Sequence, residues 1–211
     1  MDDALERLLA RQARRWAIEA GAGMPQPRGP VVACSRWAGA DGEAVAEQVA
    51  EWLDYGLFGP AEIDRIAGDA GLRERLQAGF EGARRAALDE LLATAVARAP
   101  GAPRPLVEVV ATLGARGMAV VVGRGAAAIL PPERALRVLV VAPLAVRIER
   151  TAKEQGTPRA EAEACVASAD AARRAALAER FGIAAEDLTH YDLVLNTEAL
   201  AVDALRRRFP L

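Results

Sequence analysis

Histidine, cysteine, lysine and aromatic residues are all scarce in this chain, and each scarcity excludes something. His190 is the single histidine among 211 residues, so a Ser-His-Asp triad or a His-rich metal centre has almost nothing to draw on. The two cysteines, Cys34 and Cys165, lie in apolar contexts without metal-ligand spacing, and both read as reduced core residues of a cytoplasmic protein. Lys153 is the only lysine among 27 basic residues; all the others are arginine. Aromatic residues make up 4% of the chain against 52% apolar residues in all, so the core is built mainly from Ala, Val and Leu. Charge of one sign is also missing. The 27 basic and 29 acidic residues leave a formal net charge of −2, which argues against a broad nucleic-acid footprint and a polybasic membrane surface. No apolar run approaches the roughly 18–20 residues that a membrane helix needs. The first 20 residues are amphipathic and carry Asp2, Asp3, Glu6 and Glu19, unlike a secretory signal or a transit peptide.

What is present is a set of short apolar runs separated by helical patterns. Residues 2–20 read as a helix with a partial apolar face of Ala4, Leu8, Ala13 and Trp16, and Leu5 falls outside that face. Gly21 to Pro30 is a Gly- and Pro-rich linker, so residues 1–30 stand apart from a domain over 31–211. Strands are expected at Val31–Ser35, Met118–Val122, Leu136–Val141 and Asp192–Leu195. Helices are expected at Glu43–Leu53, from Pro60, over 72–98 with weak points at Gly79 and Gly82, and over Leu106–Ala115. Further helices are expected over Pro143–Gln155, over 158–180 as one or two, and over Glu198–Arg208. Continuous apolar strands alternating with helices predict a three-layer α/β fold, a parallel sheet with helices on both faces. Ligands then bind beyond the carboxyl ends of the strands, which places 35–42, 123–125, 142–143 and 196–197 along one edge.

Two constellations on that edge carry chemistry. The segment SRWAGADGE, residues 35–43, is a glycine-bearing turn between a strand and a helix. Such a turn presents backbone N–H groups at a helix N-terminus and suits phosphate. An ordinary tight turn would show the same two glycines, Gly39 and Gly42. The full pattern G-x-x-x-x-G-K-[ST] is not met, and Asp41 and Glu43 add negative charge. The second constellation is arginine near strand ends and helix starts: Arg36, Arg124, Arg147, Arg150, Arg173 and Arg174. Guanidinium forks bind phosphate bidentately, although solvated salt bridges fit each arginine taken singly.

Four stretches in order resemble the cytidylate kinase-like family of P-loop nucleoside monophosphate kinases. VVACSRWAGADG (31–42) is similar to that family's strand followed by S-R-x-x-G-S-G-G. VVGRG (121–125) is similar to its strand ending in G-R. VLVVAPLAVRIER (138–150) resembles its apolar strand with A-P-L and R-I-E-R. DAAR (170–173) with YDLVLNT (191–197) resembles its D-x-x-R and Y-D-L-x-L-N-T elements. The resemblance implies transfer of the γ-phosphoryl of ATP to a nucleoside monophosphate, CMP or dCMP being favoured, with ATP and Mg2+ as cofactors if the protein is active. It implies nucleotide contacts from Ser35, Arg36, Gly39, Gly42 and Asp170, and catalytic roles for Arg124, Arg147, Arg150 and Arg173, with no metal-ligand set. It also implies that helices in 60–98 bind the acceptor and that 147–180 contains the lid.

The chain departs from the family at Asp41, at Glu43, and at Phe58-Gly59 where the family has Tyr-Asp. The aromatic after D-x-x-R is absent too. A carboxylate 4–5 Å from a phosphate charge costs on the order of 3–4 kcal/mol at an effective dielectric of about 20. The expectation is therefore weak ATP binding and slow or absent transfer. The alternative is an inactive relative that binds a nucleotide or a partner for regulation. For the first helix the choices are packing on its own domain, which is expected, and a homodimer contact.

Overall fold

The computed structural model describes residues 2–21 and 29–199. The helix expected over Glu198–Arg208 lies almost wholly outside the described residues. Helix α1 spans Asp2–Gly21 and is followed by strand β1, Val31–Arg36, and α2, Gly42–Leu53. A three-residue strand β2, Gly56–Phe58, leads into α3, Pro60–Gly68, α4, Ala70–Gln77, α5, Gly82–Arg98, and α6, Arg104–Arg116. Then come β3, Ala119–Val122, the one-turn α7, Ala126–Ile129, and β4, Ala135–Val141. The long pair α8, Leu144–Gln155, and α9, Arg159–Phe181, precedes a short 3-10 turn at Leu188–His190 and the last described strand, β5, Leu193–Asn196.

The five strands form one parallel sheet in the order β2-β3-β1-β4-β5. Residues alternate between its faces. Val31, Ala33, Ala119, Val121 and Ala135 join the larger core with residues of α1, α3, α4, α5, α6 and α7. Val32, Cys34, Val120, Val122, Val138 and Val140 pack on Val45, Ala46 and Ala50 of α2. The central strands are covered on both sides, and this is why their sequences are unbroken apolar runs. The edge strand β5 differs: Leu193 and Val194 are exposed.

Local chemistry fixes the helix ends. Pro60 sits in the first turn of α3, where its missing N–H leaves no bond unmade. Asp69 caps α4 by accepting from the Leu72 N–H at 3.1 Å. The pattern over 72–98 divides into α4 and α5 at Gly79 and Gly82, whose φ angles of +81° and +50° cannot continue a right-handed helix. The region 158–180 is a single helix, and α6 begins two residues before the expected Leu106, with Pro105 in its first turn.

Two expectations need correction. The buried face of α1 is Leu5, Leu9, Gln12 and Trp16, while Ala4 and Ala13 are exposed. The side chain of Gln12, wholly buried against Gly56, interrupts the apolar periodicity and hides the i, i+4, i+7, i+11 stripe. Leu5, Leu9 and Trp16 belong to the main core, and the Trp16 Nε1–H donates to the Gly117 carbonyl at 3.3 Å. Burying these three contributes roughly 1.5–3 kcal/mol each, so α1 is packed on its own domain. Cys34 is buried as expected, and burial pushes its thiol pKa up to about 12, but Cys165 is exposed.

Candidate nucleotide site

Register brings the two glycine turns together. Cys34 of β1 lies opposite Val122 of β3, so the loop 37–41 and the turn 123–125 leave the sheet side by side. The Gly123 N–H donates to the Cys34 carbonyl at 2.9 Å and seals the junction. Helix α9 forms the opposite wall. The cleft between them has a volume of about 680 Å³ and is lined by Ser35, Arg36, Gly39, Gly123, Arg124 and Arg173, among others.

The loop is held by close approach. Gly39 has φ +71°, and a Cβ there would lie 2.5 Å from the Arg147 carbonyl oxygen and 2.8 Å from Thr151 Oγ1. Glycine is thus what allows α8 to press on the loop. Asp41 occupies the left-handed region at φ 56°, ψ 30°, and its side chain makes no cap to α2. The leading N–H groups of α2 are left without a side-chain cap, as a phosphate-binding helix start requires. In the turn, Gly123, Arg124 and Gly125 all have positive φ, at 70°, 52° and 74°. A Cβ on Gly125 would lie 2.1 Å from Phe181 Cζ, so this turn fits only against that ring.

The arginines fall into two groups. Arg36, Arg124 and Arg173 line the cleft. Arg147 and Arg150 do not; they hold the loop from behind. The Arg147 Nη1 donates to both Asp170 oxygens at 3.1 and 2.8 Å and to the Ala38 carbonyl at 3.1 Å. The side chains of Arg147 and Asp170 are only 10% and 7% exposed. Asp170 is therefore a buried partner of α8, not a wall of the cleft. Arg150 pairs with Asp41 at 3.0 Å and donates to Thr197 Oγ1 at 2.8 Å, and Thr197 in turn donates to the Ala40 carbonyl at 3.0 Å.

Each cleft arginine predicted from sequence already has a protein partner. The Arg36 Nε donates to Glu43 at 2.7 Å, Arg124 to Asp64, and Arg173 to the Tyr191 hydroxyl at 3.0 Å. Asp41 and Glu43 are thus engaged with arginines rather than facing the phosphate path as free carboxylates. This corrects the simple repulsion expected from sequence. Trp37 is a further element that sequence reasoning passed over. The guanidinium groups of Arg147, Arg173 and Arg174 lie 5.7, 5.1 and 5.0 Å from its ring centroid, tying α8 and α9 to the loop. An aromatic inside a glycine turn rich in nearby arginine was its one signal. Arg174 is also held by Glu186 at 2.5 Å, and this bond keeps the Glu186 carboxyl below its ordinary range. Asp64, Arg180 and Phe181 were likewise missed, since each takes its place only through the fold.

No curated protein matches the sequence. Among solved structures, an uncharacterized protein from Eubacterium ventriosum superposes with a TM-score of 0.58 at 16% identity, covering 86% of this chain and 98% of that one. A shikimate kinase from Acinetobacter baumannii in complex with shikimate gives 0.44 at 15% identity, covering 86% and 90%. TT1252 from Thermus thermophilus gives 0.43 at 18%, covering 87% and 95%. The model of the cytidylate kinase-like family matches residues 31–199, from the start of β1 to three residues past β5, and the chain belongs to that family.

Proposed function

We propose that this protein binds a nucleoside phosphate in the cleft and that phosphoryl transfer from ATP to a nucleoside monophosphate, CMP or dCMP being favoured, is slow. The observation that carries this reading is the closure of two of the cleft's cations, Arg36 and Arg124, onto protein carboxylates. Arg36 is held by Glu43, and Arg124 by Asp64. A phosphate that takes these forks must compete with a carboxylate already in place.

The fit of the two expected cofactors differs. Nucleotide phosphate suits the uncapped start of α2, the Gly39 approach and the side chains of Arg36 and Arg173. Magnesium does not suit the residues as arranged. In the phosphate-loop pattern the lysine position is Gly42 and the hydroxyl position is Glu43, whose carboxylate accepts from Arg36. No cluster of three acidic, histidine or cysteine side chains able to hold a metal occurs among the described residues. Arg36, which lines the cleft and whose Nη1 would lie 2.7 Å from a Cβ on Gly123, takes the place of the missing lysine. Arg173 supplies positive charge from the α9 wall. Together they orient and neutralise phosphate oxygens, the part of this chemistry that depends on positioning and charge.

One observation favours a second reading, an ordinary kinase. Asp41 and Glu43 are neutralised by Arg150 and Arg36, which removes most of their repulsion of phosphate. Calorimetric titration with ATP and CMP, with and without Mg2+, followed by a transfer assay over CMP, dCMP, UMP and AMP, separates the readings. The proposal expects measurable nucleotide binding with slow transfer. Ordinary turnover supports the kinase, and absence of binding by every nucleotide refutes both.

A further inference from the structure

Helix α9 carries one arginine whose side chain differs from all those discussed. Arg180, in its last turn, makes no side-chain hydrogen bond or ion pair among the described residues, although it is partly buried. A guanidinium has five donors and no acceptor, and one that has lost part of its hydration without gaining a partner is a ready receptor for an oxyanion. Its position adds to this. Beside the main cleft lies a second chamber of about 450 Å³, walled by Asp64, Ala67, Pro103, Pro105 and Leu106. Arg124 and Arg180 line both chambers and stand where they meet. The left-handed turn between Gly123 and Gly125 sets where the Arg124 side chain departs, and its guanidinium is anchored on Asp64.

The two chambers differ in chemistry. The second has an aliphatic wall of Ala67, the two prolines and Leu106, with one carboxylate, Asp64, that can accept from a ligand N–H or O–H. The junction carries two guanidinium groups, only one of which is already paired. We infer that Arg180 is the residue that recognises the phosphate of the acceptor, a phosphate monoester whose dianion sits between Arg180 and Arg124 while its organic part lies along the Pro103–Leu106 wall. This rests on the nucleotide-binding reading and deepens it by assigning the acceptor end of the site. The competing explanation is structural: a cation in the last turn complements the helix dipole without touching any ligand.

Calorimetric titration with CMP, alongside thermal melting of the free proteins, distinguishes these. The wild type binds CMP, and R180A binds it at least tenfold more weakly. R180K restores the charge but not the bidentate fork, so it recovers the melting temperature fully and the affinity only in part. Should R180A melt early, R180Q, which keeps the stem and loses the charge, carries the binding comparison. Equal CMP affinity in the wild type and R180A, or full recovery of affinity in R180K, overturns the role of Arg180 and leaves the nucleotide reading standing. A wild type that binds neither CMP nor ATP overturns both.

Discussion

Replacing Asp170 with Asn removes one charge from the most buried ion pair at the site and leaves Arg147 in place. Arg147 then keeps the Ala38 carbonyl at 3.1 Å and the Trp37 ring face at 5.7 Å, and the Asn oxygen can accept one bond, but the carboxylate's charge and one of its two bonds are lost and an NH2 donor faces the guanidinium in their place. Its Nε is buried and already without a partner, so the guanidinium has no second acceptor to turn to. Breaking such a pair by removing one member costs about 3–5 kcal/mol, because an uncompensated charge stays buried. A domain has about 5–15 kcal/mol in total, so from about a fifth to all of the stability goes with one atom exchanged. With a urea m-value of about 2 kcal/mol/M, the midpoint falls by about 1.5–2.5 M. Equilibrium urea unfolding followed by far-UV circular dichroism reads this directly. The companion variant R147M/D170L removes both charges at similar volume and should regain at least half of the loss. A D170N midpoint corresponding to less than about 1 kcal/mol of destabilisation, or a double variant no better than D170N, would refute the claim that burial of this pair is what fastens α8 and α9 to the loop.

Further outcomes follow from neighbouring features. Gly39→Ala drives a Cβ into the Arg147 carbonyl from a left-handed backbone and should lower stability by more than about 2 kcal/mol, read by thermal melting. Glu43→Gln frees the Arg36 fork and should tighten ATP severalfold by calorimetry, most at low ionic strength where exposed charges are least screened. The Arg116 guanidinium, pushed down to about 10 by burial, has no acidic partner among the described residues; it donates to the Leu76 carbonyl at 2.9 and 3.2 Å and to the Ala78 carbonyl, and stacks over Phe80 and Trp16. R116M leaves those carbonyls unpaired and should cost about 2 kcal/mol of unfolding free energy. Hydrogen bonds from Arg137 hold the Asp192 carboxyl below its ordinary range, so its contribution is present at neutral pH and fades as pH falls through its folded value. D192N should accordingly be less stable than wild type at pH 7, by about 1 kcal/mol for a pair partly open to solvent, and the gap should close as pH falls below the lowered folded pKa of Asp192.

The sequence by itself determined the features written in neighbouring residues. The apolar run Met118–Val122 has to be a strand covered on both faces, because nothing in it can face water, and the helices between such runs force parallel order. The turns at Gly39 and Gly123 were equally legible, since glycine just past an apolar run marks a turn. Even the division of 72–98 was foreshadowed by Gly79 and Gly82. Other features were settled only by tertiary structure. The three residues of β2 are too few to carry a period, and they became a strand because Phe58 pairs beside Val121. Gln12 hid the buried stripe of α1 because a polar residue in a helix reads as solvent-facing until something packs over it. Above all, the sequence displayed every arginine and carboxylate of the site but not their pairing. Arg36 meets Glu43 seven residues on, Arg124 meets Asp64 sixty away, and Arg147 reaches Ala38 across 109 positions. Charge interactions depend on distance through space and on the water excluded between partners, and neither is encoded in order along the chain. Whether the loop's two acids repel a phosphate or hold an arginine was therefore decided by where the fold placed Arg36 and Arg150.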